Sequence, residues 1–134
     1  MDIHENGARA ASAGPPEYFT GKVEIEPIIS PDPPARIRAV SVTFQPGART
    51  AWHTHPLGQT LVILRGQGRA QTRGGPVRVL NTGDTVWFAP GEEHWHGAAP
   101  DRAMCHLAIQ EARDGSAVDW LEHVTDADYA QEAR

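Results

Sequence analysis

The sequence has almost no cysteine, no excess of positive charge and no long apolar run. Cys105 is the only cysteine among 134 residues, which excludes an intrachain disulfide and indicates a reducing compartment. The 17 acidic and 12 basic residues give a formal net charge of −5 without a basic cluster, which argues against nucleic acid or a membrane surface as partner. No segment approaches the roughly 20 apolar residues of a membrane span, and the first residues lack the pattern of a signal peptide. We therefore expect a soluble, cytoplasmic protein.

The chain is about the length of one domain, and its frequent Gly and Pro turns predict β-structure. Residues 1–16 are rich in Ala, Gly, Ser and Pro and are expected to form a flexible N-terminal arm ahead of one domain over residues 17–134. Short segments of alternating apolar and polar residues then recur between Gly and Pro turns, which predicts an all-β sandwich or barrel. The segments are residues 22–29, 37–44, 60–65, 70–73, 77–80, 84–88 and 103–110. Near the end of the chain, Thr125 or Asp126 can cap one short helix.

Five of the seven histidines fall in the β-rich region: His53, His55, His94, His96 and His106. His53 and His55 are two residues apart, so on a β-strand their side chains lie on one face. If the strand that begins at His94 returns beside them, three imidazoles converge. Three imidazoles and one amide or carboxylate oxygen suit zinc, iron, nickel or manganese and leave two positions of an octahedron open for a substrate. His53, His55 and His94 are therefore candidate metal ligands.

Two segments around these histidines resemble the conserved motifs of the cupin superfamily. Residues 47–66, GARTAWHTHPLGQTLVILRG, have the spacing of the first motif, with Gln59 at the position that is usually acidic. Residues 83–98, GDTVWFAPGEEHWHGA, are similar to the second motif, with Ala89 in place of the usual proline and Ala98 in place of the usual asparagine. The resemblance implies a single-domain, small jelly-roll β-barrel that holds a metal ion.

From about residue 18 to residue 129 the chain is similar to the bacterial cupin hydroxynitrile lyases, both in the order of its motifs and in the glutamine at the fourth ligand position. This resemblance implies a manganese(II) enzyme that cleaves (R)-mandelonitrile to benzaldehyde and hydrogen cyanide. The donor types also suit iron(II), zinc(II) and nickel(II). The ligands that it implies are His53, His55, Gln59 and His94. The catalytic base that it implies is His106.

Side-chain alternation supplies candidates for a substrate pocket. In the segment MCHLAIQ, His106 and Gln110 share one mixed polar face, which suits a barrel interior. Residues 37–44 present an apolar face that would line the same pocket, and neighbouring strands add further apolar side chains. His96, two residues after His94, is expected on the same side as His94. The candidate pocket residues are Val40, Val42, Phe44, Leu61, Trp87, His96 and Gln110. Such a pocket favours a small, uncharged, aromatic substrate.

The amide of Gln59 also indicates a kind of chemistry. A neutral ligand in place of a carboxylate makes a bound dication a stronger Lewis acid, which favours redox-neutral reactions. His106, near its unperturbed pKa of about 6.5, is expected to take and return a substrate proton. Two alternatives remain: another cupin metalloenzyme, either an iron dioxygenase or a lyase or isomerase with a different substrate, and a non-catalytic cupin that binds a metal and a small ligand.

The remaining tryptophans suggest self-association. Trp52, Trp95 and Trp120 are expected in packing or at subunit interfaces rather than in catalysis. Single-domain barrels with exposed tryptophan commonly pair through a sheet edge or face. A homodimer or homotetramer is therefore expected.

Overall fold

The computed structural model describes residues 1–134 and confirms the all-β prediction. It contains twelve strands and one short helix, α1 (Asp126–Tyr129). The strands are β1 (Ser12–Ala13), β2 (Phe19–Thr20), β3 (Val23–Ile29), β4 (Ile37–Phe44), β5 (Arg49–Thr50), β6 (His53–Thr54), β7 (Gln59–Thr72), β8 (Arg78–Asn81), β9 (Thr85–Phe88), β10 (His94–Ala98), β11 (Met104–Glu111) and β12 (Asp119–Trp120).

Strand β7 joins the two halves of the curled sheet. Its first half pairs with β11 and β9, and its second half pairs with β10 and β8. The sequence pattern suggested two strands here, but the chain continues through Gly66, which has a φ of +76°. A Cβ atom on Gly66 would lie 1.9 Å from the Ala103 carbonyl oxygen, so only glycine allows this close crossing. The glycine therefore bends one continuous strand where sequence analysis placed a break.

The first half-sheet has the order β1-β3-β4-β11-β7, with β9 on the outer side of β7. All of these pairings are antiparallel. The second half-sheet contains β10, with β5 and β6 paired to it and with β2 and β12 at its margin. Side chains from the two halves meet in a core that includes Phe19, Phe44, Leu61, Ile63, Phe88 and Met104. The sheet therefore curls around an interior that both halves line.

The two ends of the chain are both attached to this barrel. Thr125, one of the two predicted caps, caps α1 by accepting a hydrogen bond from the Asp128 amide (3.1 Å). The Tyr129 hydroxyl donates to the Ala98 carbonyl (2.7 Å), which fixes the end of α1 to β10. At the other end, β1 pairs with β3, so the predicted arm touches the sheet at Ser12–Ala13. The one helix has four residues, and none in the chain is long and apolar enough to span a membrane.

Candidate metal centre and pocket

Three of the candidate ligands meet where β6 and β10 pair. His53 lies directly opposite His94 in the antiparallel register, and their ring centroids are 4.3 Å apart. The His55 ring lies 5.0 Å from the His53 ring and 5.4 Å from the His94 ring. All three side chains are buried. The structure thus brings together the histidines that the sequence singled out.

Each of these three rings is oriented by a backbone carbonyl. His53 Nδ1 bonds to Ala51 O (2.9 Å), His55 Nδ1 bonds to Ala117 O (2.7 Å), and His94 Nδ1 bonds to Glu92 O (2.8 Å). Because a carbonyl can only accept, each Nδ1 carries the proton and each Nε2 keeps its lone pair. The Nε2 atoms of His55 and His94 are buried and have no hydrogen-bond partner. Tethering of one ring nitrogen while the other is left free is the usual arrangement of a metal-binding histidine.

Gln59 presents an oxygen to the same region. Its Nε2 donates to the Gln110 side-chain oxygen (3.1 Å), and its own Oε1 is buried without a partner. A buried amide oxygen without a partner is costly, so this atom is suited to a cation. The side chains present therefore fit a divalent metal ion through nitrogen and oxygen donors.

His96 also belongs to this cluster, although the sequence placed it only in the pocket. The ligand-type nitrogen atoms of His53, His94 and His96 lie within 4.8 Å of one another, and this buried group fits a cupin metal site. His96 differs from the three carbonyl-tethered histidines because its Nδ1 bonds to the Nε2 of His106 (3.1 Å) rather than to the backbone. One of these two nitrogens must donate and the other accept, so the two rings share a proton between them. His96 thereby connects the metal centre with the candidate base.

Burial keeps all five of these imidazoles neutral. It is the main cause of a lowered pKa in each, and it brings the pKa of His94 and of His106 to about 4. For His53, the neighbouring His94 and His55 lower the pKa further. The expectation that His106 has a pKa near 6.5 is therefore wrong, because the sequence did not show that this imidazole is completely desolvated. At neutral pH the rings are in the form that ligands and proton acceptors require.

A cavity of about 250 Å³ adjoins the cluster. Its wall is mainly apolar, and its volume is below the range usual for sites of drug-sized molecules, which suits a smaller ligand. His53, His55, Gln59 and His106 contribute to the wall. Of the predicted pocket residues, the cavity is lined by Val40, Val42, Phe44, His96 and Gln110.

Two predicted pocket residues, Leu61 and Trp87, do not line this cavity. On β9 the alternation turns Phe88 inward, where it stacks on His94 at 3.6 Å, and turns Trp87 outward, where it is 58% exposed. Leu61 does point inward, but it is enclosed in the core cluster and is fully buried. The sequence showed that these strands were near the site without showing which side or depth each residue occupied.

Three aromatic residues outside both motifs also line the cavity. Tyr18 stacks on Trp120 with ring centroids 4.6 Å apart, and Phe19 meets Trp120 edge-on at 5.7 Å. The Trp120 ring also lies 4.8 Å from His53. Trp120 was expected only in packing or at an interface; its position at the site follows from the pairing of β12 with β6, which places Trp120 opposite His53. No sequence signal within either motif indicates that pairing.

The loop before His94 is held by a charged side chain. Glu92 accepts hydrogen bonds from the Thr72 hydroxyl (2.9 Å) and from the Ala89 amide (2.8 Å), while its carbonyl orients His94. One residue thus fixes the loop through its carboxylate and the ligand through its backbone. Glu92 therefore acts on the metal centre indirectly, through His94.

Comparison with known proteins agrees with this geometry. The cupin domain family matches residues 40–109. The chain is 59% identical over 129 residues to the (R)-mandelonitrile lyase of Granulicella tundricola, covering 96% of this chain and 98% of that protein. A cupin-like protein from Thermotoga maritima has 40% identity and a TM-score of 0.84, with 96% of this chain and 95% of that chain covered. A cupin-2 domain protein from Rhodospirillum rubrum, at 19% identity, supports the fold alone, with a TM-score of 0.73 and coverage of 97% and 84%. The motifs, the barrel and these relatives together show that the chain belongs to the cupin family.

Proposed function

We propose that the protein is a metal-dependent hydroxynitrile lyase that cleaves (R)-mandelonitrile, and similar aromatic cyanohydrins, to an aldehyde and hydrogen cyanide in a reversible reaction. The observation that carries this proposal is the neutral His96–His106 pair, which lines an apolar cavity together with a set of metal-type donors. The (R)-mandelonitrile lyase of G. tundricola supports it through its identity over nearly the whole chain.

We propose manganese(II) as the metal, held by His53, His55, Gln59 and His94. Their nitrogen and oxygen donors are compatible with manganese, and equally with iron(II), zinc(II) or nickel(II), so metal analysis has to separate these. A bound dication would supply Lewis-acid polarisation of the substrate oxygen. The amide of Gln59 adds no negative charge to the centre, which leaves more of the cation's charge for the substrate.

His106 is the proposed base. Cleavage breaks the bond between the carbinol carbon and the nitrile carbon, and that electron pair leaves with cyanide. The electron pair of the O–H bond forms the second carbon–oxygen bond of the aldehyde, while the proton passes to the neutral imidazole. Because His106 is hydrogen-bonded to His96, the proton can be shared within the pair until cyanide takes it up as hydrogen cyanide.

The other wall residues bind and orient the substrate. Val40, Val42 and Trp120 offer an apolar surface to an aryl ring and exclude water from the reacting carbon. Gln110 accepts from Gln59 through its side-chain oxygen, so its amide N–H groups remain free to donate to departing cyanide.

The test combines metal analysis of the purified protein with the consumption of racemic mandelonitrile. We expect bound manganese, loss of the (R) enantiomer seen by chiral chromatography, equimolar benzaldehyde and cyanide, and loss of activity after chelation that manganese restores. Oxygen consumption without cyanide release would indicate a dioxygenase instead. Metal-replete protein that cleaves no cyanohydrin would indicate a binding protein.

A substitution of the base separates catalysis from binding. His106→Ala should retain metal and lose about 10²- to 10⁴-fold in cleavage rate, the usual contribution of a positioned general base. His123→Ala, at an exposed histidine near the C terminus, serves as the matched control. Wild-type turnover by metal-replete His106→Ala would eliminate this role.

A further inference from the structure

The barrel has an apolar outer face on the half-sheet whose inner side lines the cavity. Because strand residues alternate, the neighbours of the cavity residues on β3, β4, β11, β7 and β9 point outward. Large side chains on this face are exposed, with Leu64 at 42% and Trp87 at 58%. The other apolar members, exposed or half-buried, are Ile29, Ile37, Val62, Leu107 and Ile109. We call this surface the outer sheet face. Contiguous apolar surface of this kind usually marks an interaction site.

One row of residues across this face carries opposite charges at its two ends. The strand register places Arg65 on β7 beside Cys105, Cys105 beside Thr43, and Thr43 beside Glu24 on β3. Arg65 and Glu24 are exposed, and neither has an ion-pair or side-chain hydrogen-bond partner within the chain. Glu26, the next outward carboxylate on β3, is already paired with Arg9. The row therefore leaves one free cation and one free anion on opposite sides of β4 and β11.

We propose that the outer sheet face is a two-fold interface between two copies of this chain, with the axis running along the strands between β4 and β11. That rotation lays β3 of one copy over β7 of the other. Arg65 then meets Glu24 of the partner subunit, and the symmetry repeats the contact on the other side of the axis. A row that is positive at one end and negative at the other is complementary to itself only under such a rotation.

The centre of the same surface suits sheet-on-sheet packing. Leu107 and Ile109 on β11 and Val62 on β7 lie further along the strands than the charged row and would be covered by the facing sheet, about 10 Å away. An apolar centre with charges at its rim is the usual composition of an interface between identical subunits.

This interface would also reach the segment that carries the amide ligand. The Trp87 ring lies against Gly58, where an added Cβ would be only 2.3 Å from Trp87 Cη2. Gly58 directly precedes Gln59, so a partner that covers Trp87 also confines the backbone next to that ligand. Dimer formation is therefore expected to favour metal retention.

Sedimentation velocity on the metal-loaded protein tests the arrangement. We expect wild type to have at least twice the chain mass of 14.6 kDa at micromolar concentration. Arg65→Glu alone, and Glu24→Arg alone, each turn two attractive contacts into repulsive ones and should weaken the dimer about tenfold. Arg78→Glu, an exposed arginine on β8 away from the face, should leave association unchanged.

The decisive sample is an equimolar mixture of the two charge variants. In a heterodimer of Arg65→Glu with Glu24→Arg, both contacts again join opposite charges, so association should return to near the wild-type level. If wild type is a tetramer, the single variants should reduce it to a smaller species and the mixture should restore it. A monomeric wild type, unchanged association in both single variants, or a mixture no stronger than its components would overturn the proposal.

Discussion

Stripped of metal, the protein should lose stability steeply as the pH falls from 7 to 5. Five imidazoles are buried with lowered pKa values, and two of these pKa values lie at about 4. In the unfolded chain the same groups return to the ordinary value of 6.5. Between the two values the unfolded chain binds protons that the folded protein excludes. Stability is therefore lost as the pH falls through 6.5 towards 4.

The size of the effect follows from His94 and His106. Each of these two histidines has a pKa of about 4 in the folded protein and 6.5 in the unfolded chain. Each therefore lowers the free energy of unfolding by about 2 kcal/mol between pH 7 and pH 5. Together they remove about 4 kcal/mol, and His53, His55 and His96 add losses of the same sign. The free energy of unfolding of a typical domain is only about 5–15 kcal/mol, so the metal-free protein should be close to unfolding at pH 5.

Urea denaturation of chelated protein at pH 7, 6 and 5 measures this loss. In His106→Gln one titrating group is absent, so the pH dependence should be shallower by about 2 kcal/mol over the same interval. His123→Gln, at an exposed position, should follow wild type. An unfolding free energy that changes by less than about 1 kcal/mol between pH 7 and 5 would refute the assignment of buried, neutral imidazoles.

Three substitutions test the metal centre itself. His53→Ala should lose most bound metal by elemental analysis, because it removes one of the buried imidazoles that form the centre; full occupancy would remove His53 from the ligand set. Glu92→Gln should weaken metal affinity about 10- to 100-fold in a chelator competition, since the loop that orients His94 loses a charged acceptor, and unchanged affinity would show that the carboxylate is incidental. Gln59→Glu should keep the metal and lower the cleavage rate, because the added negative charge weakens the Lewis acid; equal or faster turnover would contradict that argument.

Much of the fold could be predicted from local sequence, because strand periodicity and turn residues act over short distances. The segment over residues 37–44 agrees with the observed β4, and Thr125 caps the helix as predicted. Of the two-residue strands, β6 was predicted only through the spacing of His53 and His55, and β2, β5 and β12 were not predicted. Strands so short have no readable period, and they exist because they pair with β10 or with one another.

The candidate site could likewise be predicted only in part from the sequence. His53 and His55 are linked by their spacing, and His94 joins them once β6 and β10 pair. The His96–His106 contact joins β10 to β11, two strands that are not neighbours in the sheet, so no pairing rule predicts it. Trp87 was predicted to line the pocket because its strand lies near the site, but its ring is on the outer face. Depth in the barrel and contact across it depend on curvature, which the sequence pattern does not encode.

The register between β7 and β11 accounts for how a neutral amide can serve at the centre. Gln59 and Gln110 are directly opposite in that register, and the hydrogen bond from Gln59 Nε2 to Gln110 Oε1 sets which way the Gln59 amide faces. With its nitrogen engaged, the amide must present its oxygen to the imidazoles, which is the only orientation useful to a cation. An acid at position 59 would instead place a carboxylate oxygen against the Gln110 oxygen unless the Gln110 amide turned over. Gln110 therefore matches the glutamine at position 59 as well as lining the pocket, and a carboxylate there would change the hydrogen bonding of both residues as well as the charge at the metal.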